Sequence, residues 1–260
     1  MQDPYIIRVA SQKGGVGKTT ISVNLSCALQ SNGYRTLLID ADTTNPSVGF
    51  HVGLEKSNIG YKQLLYKKAK LRDVISVHAP TGLHVVTGTV NSKPFVATER
   101  EIKPLISELK KTNYNFMIVD TQPGYYALGI TKYVDESLLV TTPDMPSIAS
   151  IIRVATLLDG QKGRHSLVIN RIRNRKYEVN KREIEEMYEG RVVGTLPEDD
   201  MVPISIEEHI PAYVMDYRNK FSKAVQQLSK FYGSGSESYK ESGSSGSSKS
   251  GFWRRILHRF

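Results

Sequence analysis

The chain has 260 residues, 39% of them hydrophobic, and a formal net charge of +9. That length suits one sizeable α/β core, and a single cysteine, Cys27, excludes an intrachain disulfide and fits a reducing compartment. No apolar run reaches the roughly 18 residues of a membrane-spanning helix, and Tyr5–Ala10 is too short for a signal-peptide core, so the sequence predicts a cytoplasmic protein.

In chain order, Tyr5–Ala10 reads as a strand that runs straight into a glycine loop. A helix follows, with Ile21, Leu25, Ala28 and Leu29 on one face and Gly33 placed to end it. Cys27 sits on this helix as a small core residue. Thr36–Asp40 is a buried strand closed by acids, and Leu83–Thr87 is another strand. Ile102, Leu105, Ile106 and Leu109 share a helical face. Phe116–Asp120 and Ser137–Thr141 are strands, Ile148–Leu158 a helix, Leu167–Asn170 and Arg191–Gly194 strands, and Asn219–Phe231 the closing helix. Strands apolar throughout, alternating with amphipathic helices, predict a mostly parallel, doubly wound α/β sheet with helices on both faces. Ligands bind such sheets at the carboxyl ends of the strands. The glycine loop, Asp40, Asp42, Asp120 and Asn170 all fall just after strands and therefore converge on one edge.

Gly14, Gly15, Val16, Gly17, Lys18, Thr19 and Thr20 follow a strand and open a helix. Glycines let backbone N–H groups wrap phosphates where a Cβ would obstruct, and the helix N-terminus adds its positive dipole end. Lys18 reaches the terminal phosphates and the Thr19 hydroxyl binds Mg²⁺, so the segment predicts a P-loop for Mg-ATP. Asp120, ending an apolar strand, is the natural carboxylate for the metal. One of Asp40 and Asp42 orients the attacking water.

The loop carries a second lysine, Lys13, at its start. In this it resembles the deviant Walker A motif of the MinD/ParA family of dimeric ATPases, with a likeness that runs from residue 5 to about residue 230. The resemblance implies a P-loop fold, ATP hydrolysis and an ATP-dependent homodimer. It makes Lys13 a lysine that reaches the partner's ATP, where it stabilises transition-state charge. It picks Asp42 to position water and contribute to the Mg²⁺ site with Thr19 and Asp120. Ile118–Gly124 resembles the family's Walker B and switch II region, with Gln122 where proline is usual. Asn170 and Arg171 resemble the adenine-contacting pair, and Leu196–Asp199, including Pro197, resembles the segment near the base.

After Tyr232 the composition changes. Residues 1–232 read as the ATPase domain, 233–251 as a flexible Ser/Gly linker, and 252–260 as an amphipathic helix. On a helix, Phe252, Trp253, Ile256, Leu257 and Phe260 share one face and Arg254, Arg255, His258 and Arg259 the other. That is the pattern of an interfacial helix on an anionic membrane; a docking helix for a protein partner is the competing reading. A MinD-type protein anchors by such a helix, which implies a peripheral place on the inner face of the cell membrane, a role in positioning division or other polar machinery, and a protein regulator. Arg171, Arg173, Arg175, Lys176, Lys181 and Arg182 form the densest basic run. It is a solvated surface or, on a ParA-like reading, a DNA contact for chromosome or plasmid segregation. The histidines have no metal-ligand spacing, and the absence of a Cys-x-x-Cys argues against a metal-cluster carrier.

Overall fold

A computed structural model describes residues 3–55, 59–89, 93–124, 130–159 and 164–235. Its strands are β1 (Tyr5–Ala10), β2 (Thr36–Ala41), β3 (Ser76–His78), β4 (Leu83–Val86), β5 (Phe116–Thr121), β6 (Glu136–Thr141), β7 (Arg164–Ile172) and β8 (Arg191–Pro197). They form one sheet in the order β3-β4-β2-β5-β1-β6-β7-β8, parallel at every junction except β3/β4. The helices are α1 (Lys18–Ser31), α2 (Val48–His51), α3 (Tyr61–Leu65), α4 (Leu71–Val74), α5 (Glu99–Leu109), α6 (Met145–Leu158), α7 (Lys181–Met187), α8 (Met201–Glu207), α9 (Ala212–Met215) and α10 (Lys220–Gly235).

Alternation along each strand feeds two layers. Ile7, Val9, Leu38 and Ile118 join Leu25 and Leu29 of α1 and Val225 and Leu228 of α10. Ile6, Leu37, Ile39, Met117 and Val119 turn the other way, onto Leu64 of α3 and Leu105 and Ile106 of α5. A third cluster seats α6 and α7 on β6 and β7 through Ile148, Ile151, Ile184, Leu139 and Leu167. Strands buried on both sides take apolar residues at most positions, which is why they read as nearly continuous apolar runs in the sequence.

Helix α1 ends as its sequence predicts. Gly33 takes φ 87°, and Tyr34 N–H donates to Leu29 O while Gly33 N–H donates to Gln30 O, a Schellman closure. Cys27 lies wholly inside, and burial pushes its thiol up to about 12. The closing helix runs further than Asn219–Phe231: α10 begins after Asn219, whose side chain accepts from Ser222 N at 2.7 Å, and continues to Gly235. The segment 252–260, with Phe252, Trp253, Ile256, Leu257 and Phe260, lies outside the described residues, as does most of the linker.

Candidate nucleotide site

The site is built where β1, β2, β5 and β7 end. Between β1 and α1 the chain turns through Gly15 at φ 75° and Gly17 at φ 92°, values L side chains rarely adopt. A Cβ on Gly17 would come within 2.3 Å of Asn170 Nδ2. Asn170, buried after β7, donates that amide to Val16 O at 2.8 Å and so fixes the loop. The N-termini of α6 and α7 are closed by side chains: Asp144 accepts from Ser147 N on α6, and Asn180 from Glu183 N on α7. Helix α1, begun by left-handed Gly17, has no such cap. Its first N–H groups and its positive dipole end are free for an anion.

Lys18 is 7% exposed. Burial pulls its ammonium below the usual range, while Asp120 and Asp42 oppose that shift. The Thr19 hydroxyl donates to Asp120 Oδ2 at 2.7 Å, Ser22 donates to Asp120 Oδ1 at 2.8 Å, and Ser47 donates to Thr19 Oγ1 at 3.0 Å. Asp120 is fully enclosed, and burial raises it to about 6 even though these hydroxyls pull it down. A hydroxyl and a carboxylate touching beside a phosphate loop match the sparse protein ligation of Mg²⁺, which keeps waters and phosphate oxygens in its shell. The chemistry of Thr19 and Asp120 therefore fits the metal.

The two acids after β2 have different jobs. Asp40, 1% exposed, accepts from Val48 N at 3.0 Å and Asp42 N at 3.2 Å, and burial followed by Asp120 raises its carboxyl well above the usual range. It ties the start of α2 to the strand. Asp42 Oδ1 gathers Thr44 N at 3.0 Å, Thr44 Oγ1 at 2.7 Å and Asn45 N at 2.9 Å, which shapes the loop. Gln122, in place of a proline, is buried and lies 3.5 Å from Thr43 Oγ1, bridging the ends of β5 and β2.

Lys13 points away from its own loop. Its Nζ donates to Ser147 Oγ at 3.2 Å and lies 3.6 Å from Asp144 Oδ1, with the side chain 43% exposed. Neither partner is legible beside Lys13, because both lie at the start of α6, far along the chain. Ser22 also escapes notice in the sequence. Its only signal is a small hydroxyl four residues after Lys18 on a helix buried nearly all round.

Beside the loop, a cavity of about 250 Å³ is lined by Gly15, Gly17, Asn170, Arg171, Pro197 and Val202, among others. Arg171 takes φ 61° where the β7/β8 register shifts. There it grips Glu198 at 2.7 and 2.9 Å and Gly15 O at 3.3 Å. Hydrogen bonds from Arg171 hold the Glu198 carboxyl below its usual range. Arg173 joins the same carboxylate at 3.1 Å, and Lys181 and Arg182 pair with Glu185 and Glu186. Much of the basic run is thus neutralised locally.

A parallel sheet ending in an uncapped, left-handed glycine loop with a lysine, a threonine and a buried aspartate defines a P-loop nucleotide-binding fold. Residues 7–212 match the CobQ/CobB/MinD/ParA nucleotide binding domain, and the chain belongs to that family. It is 30% identical over 228 residues to an ATP-binding protein of Methanocaldococcus jannaschii, covering 86% of this chain and 85% of the relative. The septum site-determining protein MinD of Pyrococcus horikoshii, solved with Mg-ADP, superposes with a TM-score of 0.81 at 26% identity, covering 88% of this chain and 95% of that one. The cell division ATPase MinD of Pyrococcus furiosus gives the same score and identity over 88% and 98%.

Proposed function

We propose that the protein is an ATP-hydrolysing switch of the MinD type, which dimerises around ATP and attaches reversibly to the inner face of the cell membrane through residues 252–260. The observation that carries the reading is Lys13. It belongs to the phosphate loop by sequence, yet its ammonium leaves that loop and stands half exposed at the N-terminus of α6. A cation so placed is available to a second molecule. There it would meet the charge that grows on the transferred phosphoryl group, so that hydrolysis depends on dimerisation. The Mg²⁺ would be held by Thr19 and Asp120, and it neutralises charge on the phosphates. Lys18 binds the terminal phosphates, Asp42 positions water, and the cavity by Arg171 and Pro197 takes the base. A MinD relative solved with Mg-ADP supports this ligand set.

Membrane attachment follows from linkage. One nine-residue amphipathic segment binds weakly, whereas two on an ATP-held dimer gain roughly a hundredfold in avidity. The nucleotide state would thus be read as membrane occupancy, with a regulatory protein setting the hydrolysis rate and the dimer positioning division or other polar machinery. A ParA-like role on DNA is the second reading, and residues 252–260, with Phe and Trp on an amphipathic pattern that DNA binding does not require, count against it.

The test is gel filtration and vesicle sedimentation with Mg-ATP against Mg-ADP, comparing the full chain, a chain ending at residue 232 and Lys13→Ala. The full chain should dimerise and pellet only with ATP, and the shortened chain should dimerise without pelleting. Lys13→Ala should bind nucleotide and lose at least a hundredfold in hydrolysis. Normal hydrolysis by Lys13→Ala would overturn the assignment in trans.

A further inference from the structure

The charged helices of this fold differ in how they treat their cations. On α7, Lys181 pairs with Glu185 and Arg182 with Glu186. On α5, Arg100 and Lys103 are mixed with Glu99, Glu101 and Glu108. Helix α10 has no acid at all. Its exposed positions Lys220, Lys223, Gln227, Lys230 and Ser234 recur at spacings of three and four, so they form one continuous stripe. Among the described residues, Lys220, Lys223 and Lys230 make no ion pair. Exposed Arg191 adds its guanidinium over Phe231 of α10 at 4.5 Å.

We propose that this basic stripe of α10, extended by Arg191, is a second membrane contact that lies against anionic lipid headgroups when residues 252–260 engage the bilayer. The inference rests on the reading of 252–260 as a lipid-binding segment. Place and charge both favour a lipid surface. The stripe is on the helix from which the tail departs. Only 16 residues, 236–251, separate the end of α10 from residue 252, and α10 itself is roughly 24 Å long. A bilayer held by the tail is therefore within reach of the lysines. Attraction of a basic surface to anionic lipid fades within a Debye length of about 8 Å, so the stripe acts only once the tail has docked. A short apolar segment anchors stably when joined by a basic patch, and this patch is built into the folded domain.

The experiment compares three full-length proteins and one shortened chain by sedimentation with Mg-ATP: unaltered, Lys223→Gln/Lys230→Gln, the control Lys68→Gln/Lys103→Gln on the opposite layer, and a chain truncated at 232. Vesicles are pure phosphatidylcholine or contain added phosphatidylglycerol. Each lysine at an anionic surface strengthens binding about fivefold. The α10 pair should therefore lose at least tenfold on the anionic vesicles only, while the control pair keeps its binding and both keep their ATPase rate in solution. Equal binding by the α10 pair and the unaltered protein, with truncation still abolishing it, would overturn this proposal and leave the tail reading intact. Binding that survives truncation would instead overturn the tail reading. A loss of duplex DNA binding by the α10 pair, with vesicle binding unchanged, would assign the stripe to nucleic acid and overturn the lipid contact.

Discussion

Both ends of the sheet bury carboxylates, and they use them in opposite ways. At the amino ends of the strands, Glu136 receives Tyr5 OH at 2.9 Å, Tyr232 OH at 2.8 Å and the Ser166 hydroxyl. Three hydroxyls from β1, β7 and α10 satisfy one acid, and the cluster closes the fold. At the carboxyl ends, Asp120 also receives two hydroxyls, but Asp40 and Asp42 crowd it with like charge and burial lifts it to about 6. The first cluster is electrostatically complete. The second is arranged to improve when magnesium and a phosphorylated ligand arrive, a site whose cost is borne by the resting fold.

The largest effect that would sharpen this contrast is Lys18→Ala. It should abolish Mg-ATP binding in calorimetry, a loss of more than about 3 kcal/mol, with little change in the urea midpoint of the free protein. Glu136→Ala should do the reverse. It strands the buried hydroxyls of Ser166 and Tyr232 and the partly buried one of Tyr5, so the free protein should lose about 3 kcal/mol in urea melts while nucleotide affinity per folded molecule stays the same.

His51 gives a third comparison. Burial lowers its imidazole to about 4, so the unfolded chain takes up its proton first as pH falls from about 6.5. Stability from neutral His51 is full above that pH and drains away toward pH 4, by up to about 3 kcal/mol. His51→Phe should flatten this part of the stability–pH profile. The smallest expected effect has the opposite sign. Asp120 is raised when folded, so its contribution is present at low pH and lost as pH rises through about 6. Asp120→Asn should stabilise the nucleotide-free protein at pH 7.5 by about 1–2 kcal/mol and give little gain at pH 4. If Asp120→Asn destabilises as Glu136→Ala does, the two ends are equivalent and the contrast fails.

What the sequence disclosed follows the same division. The nucleotide end is written in contiguous residues: strand, glycines, Lys18, Thr19, then an acid after an apolar run. Local spacing carries that information, and the convergence of β1, β2, β5 and β7 at one edge follows from the parallel sheet. The Tyr5–Glu136–Ser166–Tyr232 cluster joins residues up to 131 positions apart for a single pair, and no periodicity marks it. Lys13 with Asp144, and Arg171 with Glu198, are invisible for the same reason. The antiparallel edge strand β3 has three residues, and α2, α4 and α9 have four each, too few for a period to show. Between Asp40 and Asp42 the sequence is silent because both end one strand. Their separate duties emerge only from Val48 N and the Thr44–Asn45 turn.

The hydroxyl of Tyr232 has one further consequence. It sits in the last turn and a half of α10 and is held by Glu136 in the interior. Traction exerted along residues 236–260 would enter the domain at that phenol and pass across β6 into the middle of the sheet. The helix could not peel away from its C-terminal end until that bond gave way. Under such a pull this bond would have to yield before the rest of α10, so the end of the helix is moored to the frame of the molecule.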